Sequence, residues 1–222
     1  MSQYIHLLKY YQPRNYFLRI FQFLFWYLSD YEYKKPIFKK LSFVISDSRA
    51  IMNLFSILEK SYDIFSKSVF FKETNKVQQL NYLTCITSLC QISLHSLFFI
   101  LNICGYDFTL LIKLFNTFYA CTMIINLMKY KIELDYLRES KKSKDNKEKK
   151  DERNNIYIGI IIIGFNLPLA INGIGLMDKI IGFRLNKKIE GFLGFSASIL
   201  QFYVASSKCL KEIKSNYNKK NM

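Results

Sequence analysis

"NNIYIGIIIIGFNLPLAINGIGLMDK", residues 154–179, carries no formal charge from Ile156 to Met177, a run of 22 residues. A membrane-spanning helix needs roughly 20 apolar residues, so length alone permits a span. The middle of the run nevertheless holds Asn166, Pro168 and Asn172. Hydrocarbon offers no partner to such polar atoms, and a simple lipid-facing helix would rarely carry them. Whether this stretch is a span, the core of a soluble helical protein or something between decides the class of function to look for.

The chain holds three further apolar runs. Val77–Tyr106 is free of formal charge over 30 residues, although Gln78, Gln79, Gln91 and His95 make it moderately polar. Leu114–Met128 adds 15 residues and Gly191–Ser207 another 17. Between the second and third runs, "RESKKSKDNKEKKDER" (Arg138–Arg153) is too charged to bury the apolar surface needed to fold alone. With only 8 Gly and 3 Pro in 222 residues, long helices are expected and a turn-rich β fold is not. The expectation is an all-α integral membrane protein with amphipathic N-terminal helices and several apolar, membrane-associated helices. By composition it divides into residues 1–76, a cytosolic-side amphipathic region; 77–137, membrane-associated helices; 138–155, a charged linker; 156–207, C-terminal membrane-associated helices; and 208–222, a basic tail.

Thirty-two Lys and Arg against 17 Asp and Glu leave a net charge of +15, which points to an anionic partner, nucleic acid or a lipid surface. The long uncharged stretches favour lipid and argue against a soluble nucleic-acid binder. Five cysteines (Cys85, Cys90, Cys104, Cys121, Cys209) are scattered through apolar segments, an odd set without a framework, so reduced thiols are expected. The opening "MSQYIHLLKYYQPRNYF" lacks a basic region followed by a clean apolar one, so no cleaved secretory signal is expected. An even number of crossings would put the basic N-terminal half and tail in the cytosol. Four crossings strand Lys179, Arg184, Lys187 and Lys188 on the far side, and two crossings place the charged linker there.

The most specific pattern lies in the first half. In "FVISDSRAIMNLFSILEKSYDIFSK" (Phe43–Lys67), Ser46, Arg49, Asn53, Ser56, Lys60, Asp63 and Lys67 recur at alternating spacings of 3 and 4, which is one face of a helix. The opposite face carries Val44, Ile51, Phe55, Leu58, Tyr62 and Phe65. Ser46 or Asp47 is expected to cap its N-terminus. Such a face either packs on neighbouring helices or wedges into a bilayer surface. Arg49, Lys60 and Lys67 are balanced by Asp47, Glu59 and Asp63, so insertion would be driven by apolar burial rather than charge. Basic residues come from "KKPIFKK" just upstream: Lys34, Lys35, Lys39 and Lys40 form a candidate targeting cluster. An earlier helix, Tyr16–Leu28, is apolar apart from a stripe of Arg19 and Gln22, with Pro13 where a first-turn proline is tolerated.

Enzymatic motifs are absent. His6 and His95 lie far apart, Cys85 and Cys90 have no zinc spacing, and no phosphate loop, nucleophile elbow or metalloprotease helix occurs. No catalytic residue, metal or cofactor is expected. Gly191 and Gly194 suit close helix packing, together with Ser196 and Ser198.

These segments together resemble the peroxin-11 family of peroxisomal membrane elongation and division proteins, over nearly the whole length. "RNYFLRIFQF" (Arg14–Phe23) is similar to the family's opening helix, with Arg19 and Gln22 matching. "SRAIMNLFS" (Ser48–Ser56) occupies the place of the family's amphipathic helix, where Arg49 and Leu54 match while Ala50, Asn53 and Phe55 replace Lys, Arg and Gly. "NLPLAINGIGL" (Asn166–Leu176) resembles its Asp-Leu-Pro segment with Asn166 for Asp, and "IEGFLGFSASILQFY" (Ile189–Tyr203) its closing Gly-x-x-Gly segment. The resemblance implies residence in the peroxisomal membrane with cytosolic termini. It further implies membrane remodelling by helix insertion and homo-oligomerisation, leading to elongation and fission. Membrane lipids, a dynamin-related GTPase with its membrane adaptor, and the peroxisomal membrane-protein import receptor are the implied partners. A channel for small metabolites is the alternative, with Gln78, Gln91 and His95 lining a pore. The opening stretch then reads as a membrane-associated helix broken or bent at Pro168 and buried against partner segments.

Overall fold

The computed structural model describes residues 11–29, 35–68, 76–104, 109–139 and 146–220. Every regular element among them is helical: α1 (Tyr11–Leu28), α2 (Lys35–Ser68), α3 (Lys76–Ile103), α4 (Thr109–Glu139), α5 (Asn146–Ile174), α6 (Leu176–Ile181) and α7 (Lys187–Lys220). His6 and Lys34 lie outside the described residues.

Local chemistry explains most boundaries, including three that sequence reading places elsewhere. Helix α2 begins at Lys35, so Ser46 and Asp47 sit about three turns inside it and cap nothing. Pro36 supplies the start instead, because its fixed φ suits a first turn and its missing N–H has no helical partner there. The charged segment Arg138–Arg153, expected as a linker that does not fold alone, is helical at both ends as a continuation of its neighbours, the close of α4 through Glu139 and the opening of α5 from Asn146. Extending a helix costs far less than nucleating one, so charged residues follow the apolar helices they adjoin. Finally, α5 runs through Pro168 to Ile174, and the chain breaks at Gly175 rather than at the proline. Pro168 deprives the Gly164 carbonyl of its donor, but the helix is held on either side by fully buried Asn166 and Ala170.

Two compact units form. One comprises residues 1–49 and 186–222, the other residues 50–185. In the first, α1 packs along α7. A Cβ on Gly191 would lie 2.6 Å from Tyr27 Cβ and 2.7 Å from its Cα, and one on Gly194 would collide with the Phe23 ring. In the second unit, α4 packs against α3 and α5. Its core joins Tyr119, Ala120 and Met123 of α4 to Ile163 and Ala170 of α5, flanked by Leu127, Tyr130, Leu167 and Ile174. Gly159 meets the Tyr130 ring and Gly173 meets Asn116, so small residues bring these helices close.

The interior is unusually polar and the exterior unusually greasy. Among the described residues, ten hydrophobic residues are buried and five of these are Ala, against nine buried polar ones. Twenty-four of the described large hydrophobic side chains are exposed, Leu110, Ile124, Met128 and Ile161 among them. Water-soluble domains bury their large apolar side chains, so this distribution suits a non-aqueous surround. Among the described residues, three helical segments, Lys76–Leu101, Thr109–Arg138 and Lys149–Ile174, are long and apolar enough to cross a membrane, at 26, 30 and 26 residues. At ~1.5 Å per residue each exceeds the ~30 Å hydrocarbon thickness. The run Gly191–Ser207 lies in α7, where Gly191, Gly194, Ala197 and Ser198 are buried.

Candidate membrane-active surface

Helix α2 carries two faces in its sequence, and over residues 37–53 the structure decides which one meets protein. Extended upstream, its apolar stripe becomes Ile37, Leu41, Val44, Ser48 and Ile51, at spacings of 4, 3, 4 and 3. All five are exposed: Ile37 at 60%, Val44 at 60%, Ile51 at 44% and Leu41 at 39%, with Ser48 between them. Ser48 interrupts the stripe only chemically, since its hydroxyl donates to the Val44 carbonyl at 2.8 Å and presents no unpaired donor. Phe55, Leu58, Tyr62 and Phe65 continue the stripe on the same helix, and their side chains lie outside the described residues, as do those of Lys60 and Lys67.

The polar face is turned inward. Within the first unit, Ser42 is buried and donates to the Gln22 carbonyl at 3.1 Å. Arg49 donates through Nε to Asn15 Oδ1 at 2.8 Å and through its terminal nitrogen to Gln22 Oε1. Within the second unit, Asn53 is buried with Nδ2 2.8 Å from His95 Nδ1, and Ser96 Oγ donates to the Ala50 carbonyl at 3.4 Å. The His95 ring also contacts Phe115, with centroids 5.6 Å apart. Asn53→Ala should therefore cost about 1–3 kcal/mol, the penalty of leaving a buried polar partner unsatisfied, while Asn53→Gln should recover part of it. Denaturant-induced loss of helicity measures this, and an unchanged midpoint would contradict the inward assignment.

Burial raises the Asp47 carboxyl above its ordinary range. The folded chain thus holds that proton more tightly than the unfolded chain. Its contribution to stability is present at low pH and is lost as pH rises through the raised value.

Lys39 and Lys40 are exposed, and Lys39 Nζ lies 5.9 Å from the Phe43 ring centre. Lys35 opens α2, with its side chain outside the described residues. Phe43 meets Trp26 edge-on at 6.2 Å. Trp26 Nε1 donates to Glu190 Oε2 at 3.3 Å, and Lys187 Nζ stands 5.7 Å from its ring. Ser198 is fully buried and donates to the Gly194 carbonyl at 2.6 Å, whereas Ser196 is half-buried. Of the polar residues considered for a pore, Gln78 is exposed, Gln91 is half-buried and His95 faces Asn53. Cysteines Cys85, Cys90, Cys104, Cys121 and Cys209 are free thiols, and no metal-ligating cluster occurs among the described residues.

Sequence periodicity locates both faces of α2 but misses its first two turns and its inward-facing polar contacts. Pro36 and the in-phase Ile37 and Leu41 carry the signal for the first. The single His within an apolar run, His95, is the only hint of the second. Compared with known protein families, with curated proteins and with solved structures, the chain matches none.

Proposed function

We propose that this chain is an integral membrane protein that remodels its bilayer by laying the apolar stripe of α2 into one leaflet. The observation that carries this reading is the inverted helix: polar Ser42, Arg49 and Asn53 bind protein, while Ile37, Leu41, Val44 and Ile51 face outward. Inserted in a single leaflet, such a helix adds area to that leaflet alone and favours curvature. Each large apolar side chain contributes roughly 1.5–3 kcal/mol on full burial, so even half-burial of the stripe holds α2 on lipid. The six basic and three acidic residues of α2 add a smaller electrostatic attraction, concentrated at Lys35, Lys39 and Lys40.

The proposed compartment is the peroxisomal membrane, and the proposed outcome its elongation and division. This rests on the sequence resemblance of Arg14–Phe23, Asn166–Leu176 and Ile189–Tyr203. A dynamin-related GTPase with its adaptor, the membrane-protein import receptor and further copies of the chain are the proposed partners.

Alkaline extraction tests the integral character. The protein should stay with the membrane pellet, because three apolar helices with outward-facing Leu, Ile and Met side chains are not stripped by charge repulsion. Recovery in the soluble fraction would overturn the proposal. Tubulation of vesicles by the purified chain tests the remodelling.

A further inference from the structure

Lys179 and Arg184, the cations that fit no simple crossing scheme, belong to a segment that is built rather than slack. Gly175 and Gly182 adopt left-handed φ of 84° and 68° and bracket the six-residue helix α6. Backbone bonds close both corners: Gly175 N–H to the Asn172 carbonyl at 2.9 Å, and Gly182 N–H to the Asp178 carbonyl at 3.1 Å. The far end is tied back to α5, since the Leu185 N–H donates to Oδ1 of buried Asn172 at 3.0 Å. The turn held in this way presents Ile180 at 75% exposure, the highest of any described large hydrophobic side chain, and Phe183 at 50%. Beside them in sequence stand Lys179 and Arg184, both exposed.

We propose that Gly175–Leu185 is a second membrane contact, an anchor seated in the headgroup layer of an anionic leaflet. Ile180 and Phe183 enter the acyl boundary, and Lys179 and Arg184 pair with lipid phosphate. A free loop would fold two large apolar side chains against the protein. The two left-handed glycines and the Asn172 tie instead hold this one with its apolar tips outward. A lipid surface is the occupant because the segment begins at the residue after Ile174, where the span Lys149–Ile174 ends. Apolar tips flanked by cations are the side-chain pattern of the membrane–water boundary. The inference rests on the reading of α5 as membrane-embedded and is independent of α2 insertion.

The test uses the full chain in vesicles, in a Trp26→Phe background that removes the single native indole. Phe183→Trp then reports on the anchor and Ile161→Trp, an exposed position inside α5, on the span. With lipids brominated at defined depths, the indole at 183 should be quenched most by shallow bromines and the indole at 161 by deep ones. In mixed bilayers, brominated anionic lipid should quench position 183 at least twofold beyond its mole fraction. Lys179→Gln with Arg184→Gln should return it to the mole fraction. Quenching at 161 without quenching at 183 overturns the anchor and leaves the span standing. Absence of quenching at both overturns both, and quenching at 183 without anionic preference overturns the phosphate pairing.

Discussion

Replacing Leu41, Val44 and Ile51 with Ser is expected to weaken the binding of α2 to lipid vesicles by about two orders of magnitude. Half-burial in the interface makes each side chain worth ~1 kcal/mol, so three together contribute ~3 kcal/mol. At ~1.4 kcal/mol per tenfold this is roughly a 100-fold fall in partitioning. A peptide covering Lys35–Ser68 gives the affinity by vesicle co-sedimentation, and the full chain gives the loss of tubulation. Because all three residues are exposed in the folded chain, its helicity and unfolding midpoint should hardly change. Arg49→Glu should do the reverse. It breaks the contacts to Asn15 and Gln22, lowering stability while leaving apolar insertion of the peptide nearly intact. If the charge reversal abolishes peptide binding and the triple change does not, electrostatics rather than insertion drives the activity.

Gly191→Leu should separate α1 from α7. Even a methyl group there would stand 2.7–2.8 Å from the Tyr27 Cα and N. Backbone cannot rotate aside as a side-chain tip can, so the helices must part, and the Gly194–Phe23 contact opens with them. Overpacking typically costs ~1–3 kcal/mol, and the larger leucine belongs at the upper end or beyond. Against a typical total of ~5–15 kcal/mol this is a large loss. Trp26 reports it directly, since its indole is bonded to Glu190 and overlaid by Lys187 at the same helix pair. Its emission should move towards that of a water- or lipid-exposed indole. Gly164→Ala is the matched control: nothing lies within 4 Å of a Cβ at that position. In mid-helix it should be neutral or gain up to ~1 kcal/mol of helix propensity. Equal effects of the two substitutions would mean that the close α1–α7 approach is not what holds this unit together.

The helical class was legible in the sequence because it depends on local quantities. Few glycines and prolines, apolar runs of 15 to 30 residues and an unbroken 3–4 spacing leave little but long helices. The two-faced nature of α2 was legible for the same reason. Three things were not. The start of α2 was missed because Lys34–Lys40 reads as a charged cluster, while Pro36 and Ile37 within it open the helix and its apolar stripe. Pro168 leaves open a break or a bend in the opening stretch, and the structure removes the break: the helix, with Asn166 and Ala170 fully buried beside the proline, continues to Ile174. The pairing of Tyr11–Leu28 with Lys187–Lys220 joins segments far apart in sequence, and Gly191 and Gly194 on their own do not name Tyr27 and Phe23 as their partners. Above all, a periodic stripe is symmetric to inversion: the spacing of Val44 and Ile51 against Arg49 and Asn53 is the same whichever face meets the protein. Periodicity is enough to give α2 two faces. Only the tertiary structure turned the polar one inward, because Asn15, Gln22 and His95 supply hydrogen-bond partners that no lipid tail can offer, leaving the apolar face outward.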